Sequence, residues 1–185
     1  MAVKTFGTEV LTSADTNTYL ANSGLVYVQS QTVGAGVASV VVSSCFNSTY
    51  DNYLISYTGG VGSVGGAQLR LALNVDTANN YYSNLISQTA GLAAVNGQAF
   101  GALTGFTVIG YVDTGIFANT LNIQNPNKAL NTTFFGSWNI LGGSSAVGTI
   151  GGWSISTAAN TGFTYYPSSG TLTGGTITVY GYRKA

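Results

Sequence analysis

Along most of this chain apolar and polar residues alternate one by one. Gln68 to Val75, QLRLALNV, is the clearest case. Leu69, Leu71, Leu73 and Val75 fall on one side, and Gln68, Arg70, Ala72 and Asn74 on the other. That is the period of a strand with one buried face. TITVYGYR, from Thr176, repeats the device, with Ile177 and Val179 opposite Thr178 and Tyr180. LVYVQSQTV, VASVVVSS, YDNYLISY, GFTVIGYV, NTLNIQN, NTTFFGSWNI and GTIGGWSIS supply further candidates, rich in the β-branched and aromatic residues that suit a pleated surface. GGVGSVGG, DTANN, NPN, LGGSS and PSSG read as the turns between them.

The pattern predicts about nine or ten short strands in roughly the last 160 residues. No segment of helical period separates them, which disfavours a parallel α/β sheet. The expected fold class is all-β: an antiparallel β-sandwich, jelly-roll-like, with an immunoglobulin-like sandwich as the second choice. Several Gly-Gly pairs point to bulges or close backbone packing.

One stretch breaks the pattern. VLTSADTNTYLANSG, Val10 to Gly24, has Thr12 followed three residues later by Asp15, a capping arrangement at a helix start. Asp15 also suits the positive first turn, Ala14, Tyr19, Leu20 and Ala21 give a modest apolar face, and Gly24 is placed to end the helix. A helix of about ten residues is marginal alone in water, so it needs a surface, either its own β-domain or a partner. The chain therefore divides into an N-terminal segment with one short helix, 1–24, and a β-sandwich domain, 25–185.

Charge changes the functional picture more than length does. Only 5% of the residues are charged, five basic and five acidic, and there is no histidine; an average domain has about 25%. Such a surface responds little to pH or salt. Nucleic acid is not an expected partner, because phosphate neutralisation needs many Lys and Arg. A membrane is not expected either: the run from Ala129 through Tyr182 has no charge, but Gly, Ser, Thr and Asn interrupt it every few residues. Cys45 is the single cysteine, so neither an intramolecular disulfide nor a cysteine zinc site can form, and a small buried apolar role is expected.

Candidate chemistry is thin. Nucleophilic catalysis usually needs a histidine base, and none exists. Glycoside hydrolysis needs two facing carboxylates from five acids, of which Asp51 and Asp76 fit strand edges or turns. Asn74 to Asn80, NVDTANN, lacks calcium-loop spacing and reads better as a hairpin turn. The glycine-rich GGVGSVGGAQ is followed by no Lys-Ser/Thr, so phosphate cradling is unsupported. No enzyme activity and no cofactor are expected. Exposed aromatics on a charge-poor surface could stack on sugars, although Trp138 and Trp153 lie in strand candidates and are expected in a core or an interface.

FGTEVLTSADTNTYL, Phe6 to Leu20, resembles the N-terminal segment of tailed-bacteriophage fibre and minor virion proteins. Leu11, Thr12, Ser13, Ala14, Asp15, Asn17, Thr18, Tyr19 and Leu20 carry that resemblance. FNSTYDNYLISY, Phe46 to Tyr57, is similar to their early strands, and SGTLTGGTITVYGYR, Ser169 to Arg183, to their last hairpin. The stretch from Gly60 to Tyr166 carries no resemblance. The resemblance implies a virion structural protein, a capsid decoration or fibre subunit at the virion surface, with capsid or tail proteins as partners. It implies a homo-oligomer, with a trimer favoured, and an attachment segment in which Leu11, Thr12, Asp15, Asn17, Tyr19 and Leu20 take part. The alternative is a receptor-recognition module that binds a host-surface glycan.

Overall fold

The computed structural model describes residues 3–5, 8–11, 24–143 and 145–184. They form a short pair, β1 (Val3–Thr5) and β2 (Thr8–Leu11), and a body of thirteen strands. These are β3 (Leu25–Thr32), β4 (Val40–Val42), β5 (Asn52–Gly62), β6 (Ala67–Leu73), β7 (Tyr81–Thr89), β8 (Val95–Leu103), β9 (Phe106–Val112), β10 (Ile116–Gln124), β11 (Thr132–Ile140), β12 (Ala146–Ser154), β13 (Phe163–Pro167), β14 (Leu172–Thr173) and β15 (Thr176–Tyr182).

All pairings are antiparallel. The large sheet runs β3-β15-β5-β10-β11-β12-β7-β8, with β14 also on β5, and the small sheet runs β4-β13-β6-β9. Setting aside the hairpins β7–β8 and β11–β12, and the short β14, leaves eight framework strands. Numbered in chain order, these lie 1-8-3-6 in one sheet and 2-7-4-5 in the other. That is the interleaved double Greek key of a jelly roll. The two extra hairpins add to the large sheet beyond β10, so it overhangs its smaller partner.

The alternation read from the sequence places the core. On β6, Leu69, Leu71 and Leu73 are buried while Gln68, Arg70 and Ala72 are partly exposed. Val75, expected on the same side, is exposed because the strand ends at Leu73. Ile177 and Val179 are fully buried on β15. Much of the core is aromatic: Tyr57 meets Phe117 edge-on at 4.7 Å, and Tyr81 meets Phe106 likewise at 4.7 Å. Each of these buried phenols needs a hydrogen-bond partner. Tyr53 donates to Asn47 O at 2.8 Å, Tyr57 to Gly174 O at 3.1 Å and Tyr81 to Asp76 O at 2.7 Å. Cys45 is fully buried among them, as its neighbours in sequence suggested, and burial pushes its thiol up to about 12.

The glycine pair at Gly59 and Gly60 falls inside β5, where a turn was expected. The register against β10 slips there, between Phe117 opposite Gly60 and Ala118 opposite Thr58. Gly59 takes φ +75°, and a Cβ on Gly60 would sit 2.7 Å from the Phe117 ring. The pair therefore makes a bulge under close packing and lets the strand continue to Gly62.

Candidate functional site

Of the six residues expected in attachment, Leu11 ends β2 opposite Val3. Thr12, Asp15, Asn17, Tyr19 and Leu20 lie outside the described residues, and so does nearly all of the expected helix. Gly24, just after it, has φ +67°.

The body offers a different feature, the outer face of the large sheet. Ser30, Thr178, Ser56, Thr120, Ser137 and Thr149 stand opposite one another in turn, so a row of hydroxyls crosses six adjacent strands from β3 to β12. Two residues along the strands, a second row reads Tyr180, Leu54, Asn122, Phe135, Gly151 and Asn84. A third reads Asn52, Gln124, Thr133, Trp153 and Tyr82. None of the three rows contains a charged residue.

The second and third rows hold two of the three most exposed aromatics, and the other, Tyr27 on β3, stands opposite Tyr180. Phe135 is 54% exposed and Trp153 42%. Trp153 lies parallel to Tyr82, with centroids 5.5 Å apart and planes 8° from coplanar. The Tyr82 ring in turn covers Gly101 of β8, where a Cβ would come within 2.9 Å of it. Of the two tryptophans expected in a core or an interface, Trp138 is buried at 4% exposure, on the inner face of β11. Trp153 stands on the outer face, because it falls between the inward-facing Gly152 and Ser154 in the alternation of β12.

Between these aromatics and β15 is a groove of about 300 Å3, lined by Asn52, Asn122, Ile123, Gln124, Phe135 and Tyr182. Two of its three amides are held in place. Tyr182 donates its hydroxyl hydrogen to Asn122 Oδ1, and Thr133 donates to Gln124 Oε1 at 2.6 Å. With their oxygens engaged, both amides keep N–H donors to offer.

Charges gather beyond the end of this groove. Asp51, next to Asn52, pairs with Lys128 and with Lys184, each at 2.7 Å. Hydrogen bonds from Lys128 and then Lys184 hold the Asp51 carboxyl below the usual range. The one acid is thus shared between two cations. Asp76 is buried and accepts from Ser154 Oγ at 2.6 Å and Asn80 Nδ2 at 3.0 Å, so the NVDTANN segment is a hydrogen-bonded connection between β6 and β7. Among the described residues, no three His, Cys, Asp or Glu side chains cluster as a metal centre would require.

A second hollow lies on the inner side of the overhang. Its volume is about 210 Å3, and Ser87, Asn96, Gln98, Tyr111 and Trp138 line it. Tyr111 donates to Gln98 Oε1 at 2.6 Å across it.

The groove was not legible residue by residue. Its strands were, but convergence of Asn52, Asn122, Phe135 and Tyr182 depends on β10 pairing with both β5 and β11. No protein-family model, curated protein or solved structure matches the chain.

Proposed function

We propose that this chain is a non-enzymatic virion structural protein of a tailed bacteriophage, a capsid decoration or fibre subunit mounted through residues 1–24. The observation that carries this reading is the isolation of the N-terminal hairpin. β1 and β2 pair with each other, and among the described residues neither joins a sheet of the body. Two strands that, among the described residues, pair with each other and with no strand of the body suit a role on another surface. The resemblance of Phe6 to Leu20 to virion attachment segments, together with a body of low charge, supports the same reading. The body would then be a displayed element whose neighbours are capsid or tail proteins and further copies of itself, a trimer on the resemblance.

Deletion of residues 1–24 tests it. The truncated body is expected to keep the β-sheet circular dichroism of the full chain and to be missing from purified particles. Incorporation at the full-length level would overturn the proposal. Copy number against the major capsid protein, by quantitative mass spectrometry, then separates decoration from fibre.

A second reading, recognition of a host-surface glycan, is favoured by the groove at Phe135 and Tyr182 with its fixed amides.

A further inference from the structure

We infer that the second and third rows of the outer face form one binding strip for a neutral oligosaccharide, laid across the strands from Tyr182 to Tyr82. The inference rests on the glycan-recognition reading and assigns it a site and a ligand class.

The chemistry of the strip selects the ligand. A sugar ring presents patches of C–H on its faces and hydroxyls on its rim. The C–H patches suit exposed aromatic rings, whose faces carry negative charge density. The hydroxyls both donate and accept, as side-chain amides do. On the strip these two kinds of group stand side by side. Tyr182, Phe135 and the Trp153–Tyr82 pair supply rings, and Asn52, Asn122, Gln124 and Asn84 supply amides between them.

Preorganisation is built in. Asn122 and Gln124 are oriented by Tyr182 and Thr133, so little side-chain freedom remains to be lost on binding. Trp153 is backed by Tyr82, which rests on Gly101.

Gly151 opens the middle. It stands between Phe135 and Asn84, and the absent side chain leaves a gap in the row. From β15 to β7 is five inter-strand steps, about 24 Å at about 4.8 Å each. That length accommodates a chain of several sugars, not a single one.

Charge decides between sugar classes. A uronate or sialylated chain calls for Arg or Lys beside its carboxylates. The two rows have neither; beyond the end at Tyr182, Lys128 and Lys184 are engaged by Asp51, and Arg183, exposed past the last residue of β15, is a single cation outside the rows. The ligand is therefore neutral.

The test is calorimetric titration of the full-length protein with soluble hexasaccharides: neutral gluco-, manno-, galacto- and N-acetylglucosamine chains, and acidic galacturonate and sialate chains. At least one neutral chain is expected to bind, and no acidic one. Phe135→Ala and Trp153→Ala should each weaken binding about tenfold, the size of one stacking contact. Gly151→Val should abolish it. A Cβ there meets only Phe134 O at 3.6 Å, and Val suits a strand, so this variant fills the gap without disturbing the sheet. Near-ultraviolet circular dichroism checks that it folds. Val41→Ala, at an exposed position on the small sheet, should leave affinity unchanged.

Binding of acidic chains only, or neutral binding indifferent to all three strip variants, would overturn the strip while leaving glycan recognition standing. Absence of any binding would overturn both. Concentration-dependent association in sedimentation, lost in Gly151→Val, would overturn the strip by making this face a contact between copies.

Discussion

Tyr165 and Asn119 are hydrogen-bonded across the sandwich: the β13 phenol donates to Asn119 Oδ1 on β10 at 3.0 Å. Asn119 Nδ2 then donates back to Ile109 O on β9 at 2.5 Å. One buried amide thus joins the two sheets in both directions, with Tyr165 fully enclosed. Tyr165→Phe removes one bond and strands one acceptor, for an expected loss of about 1–2 kcal/mol in urea unfolding. Asn119→Leu leaves both a phenol and a carbonyl unpaired and should lose about 2–4 kcal/mol. A smaller loss for Asn119→Leu than for Tyr165→Phe would mean that the amide does not couple the sheets.

Asp76 makes a second internal tie. Ser154 and Asn80 donate to its carboxylate, Tyr81 donates to its carbonyl at 2.7 Å, and Asn160 Oδ1 accepts from the main-chain N–H of Val75 and Asp76 at 3.0 and 3.2 Å. Asp76→Ala should destabilise the body by about 2–3 kcal/mol, because two donors lose their acceptor in a buried place. Asp76→Asn keeps one carbonyl oxygen for Ser154 and should lose less. Thermal midpoints of the two variants measured side by side check the order.

Two glycines of the large sheet separate packing from permissiveness. A Cβ on Gly136 would fall 2.0 Å from Thr120 O, inside the β10–β11 pairing, whereas on Gly151 it meets only Phe134 O at 3.6 Å. Gly136→Ala must push two strands apart and should lose about 2–3 kcal/mol. Gly151→Ala should stay within about 0.5 kcal/mol of the parent. Equal effects in chemical unfolding would contradict the strand spacing described above.

Stability should be lost on the alkaline side. Desolvation raises Tyr57 to about 12, raises Tyr81 and Tyr165 well above the ordinary phenol value, and takes the Cys45 thiol to about 12. Each folded value lies above the ordinary one, 10.0 for Tyr and 9.0 for Cys. Their contribution is therefore whole below the ordinary values and is lost as pH rises towards the folded ones. Asp51 works the other way: its lowered carboxyl contributes above the ordinary 3.8 and loses that contribution in acid. With no histidine between these ranges, the urea midpoint should be level at about pH 6 and 8 and fall at about pH 10. A step between about pH 6 and 8 would contradict this account.

The sequence carried seven of the eight framework strands, all but β13, and the inward set on them, because period two survives wherever a strand has one wet face. It missed β7, although Tyr81, Ser83 and Leu85 alternate inward on it, since Ser and Asn dilute the apolar signal. It also missed β8, nearly all of whose residues are exposed, and which therefore has no inward set to read. β13 is five residues long and ends in a proline, which read as the start of a turn. The candidate strip was the least legible part. Alternation gives the face of each residue along its own strand but does not say which strands are neighbours. Phe135 comes beside Asn122 through the pairing of the consecutive β10 and β11, but bringing Tyr182 beside Asn52 needs β15 next to β5, which comes from the Greek-key order and not from local pattern.

Leu25 at the start of β3 faces Tyr182 at the end of β15, and Arg183 N donates to Gly24 O at 3.3 Å. Entry and exit of the body thus share one corner. A fold closed in this way is a transposable cassette. With both ends at one corner, it suits splicing into a loop of a longer polypeptide while the interleaved strands keep their order.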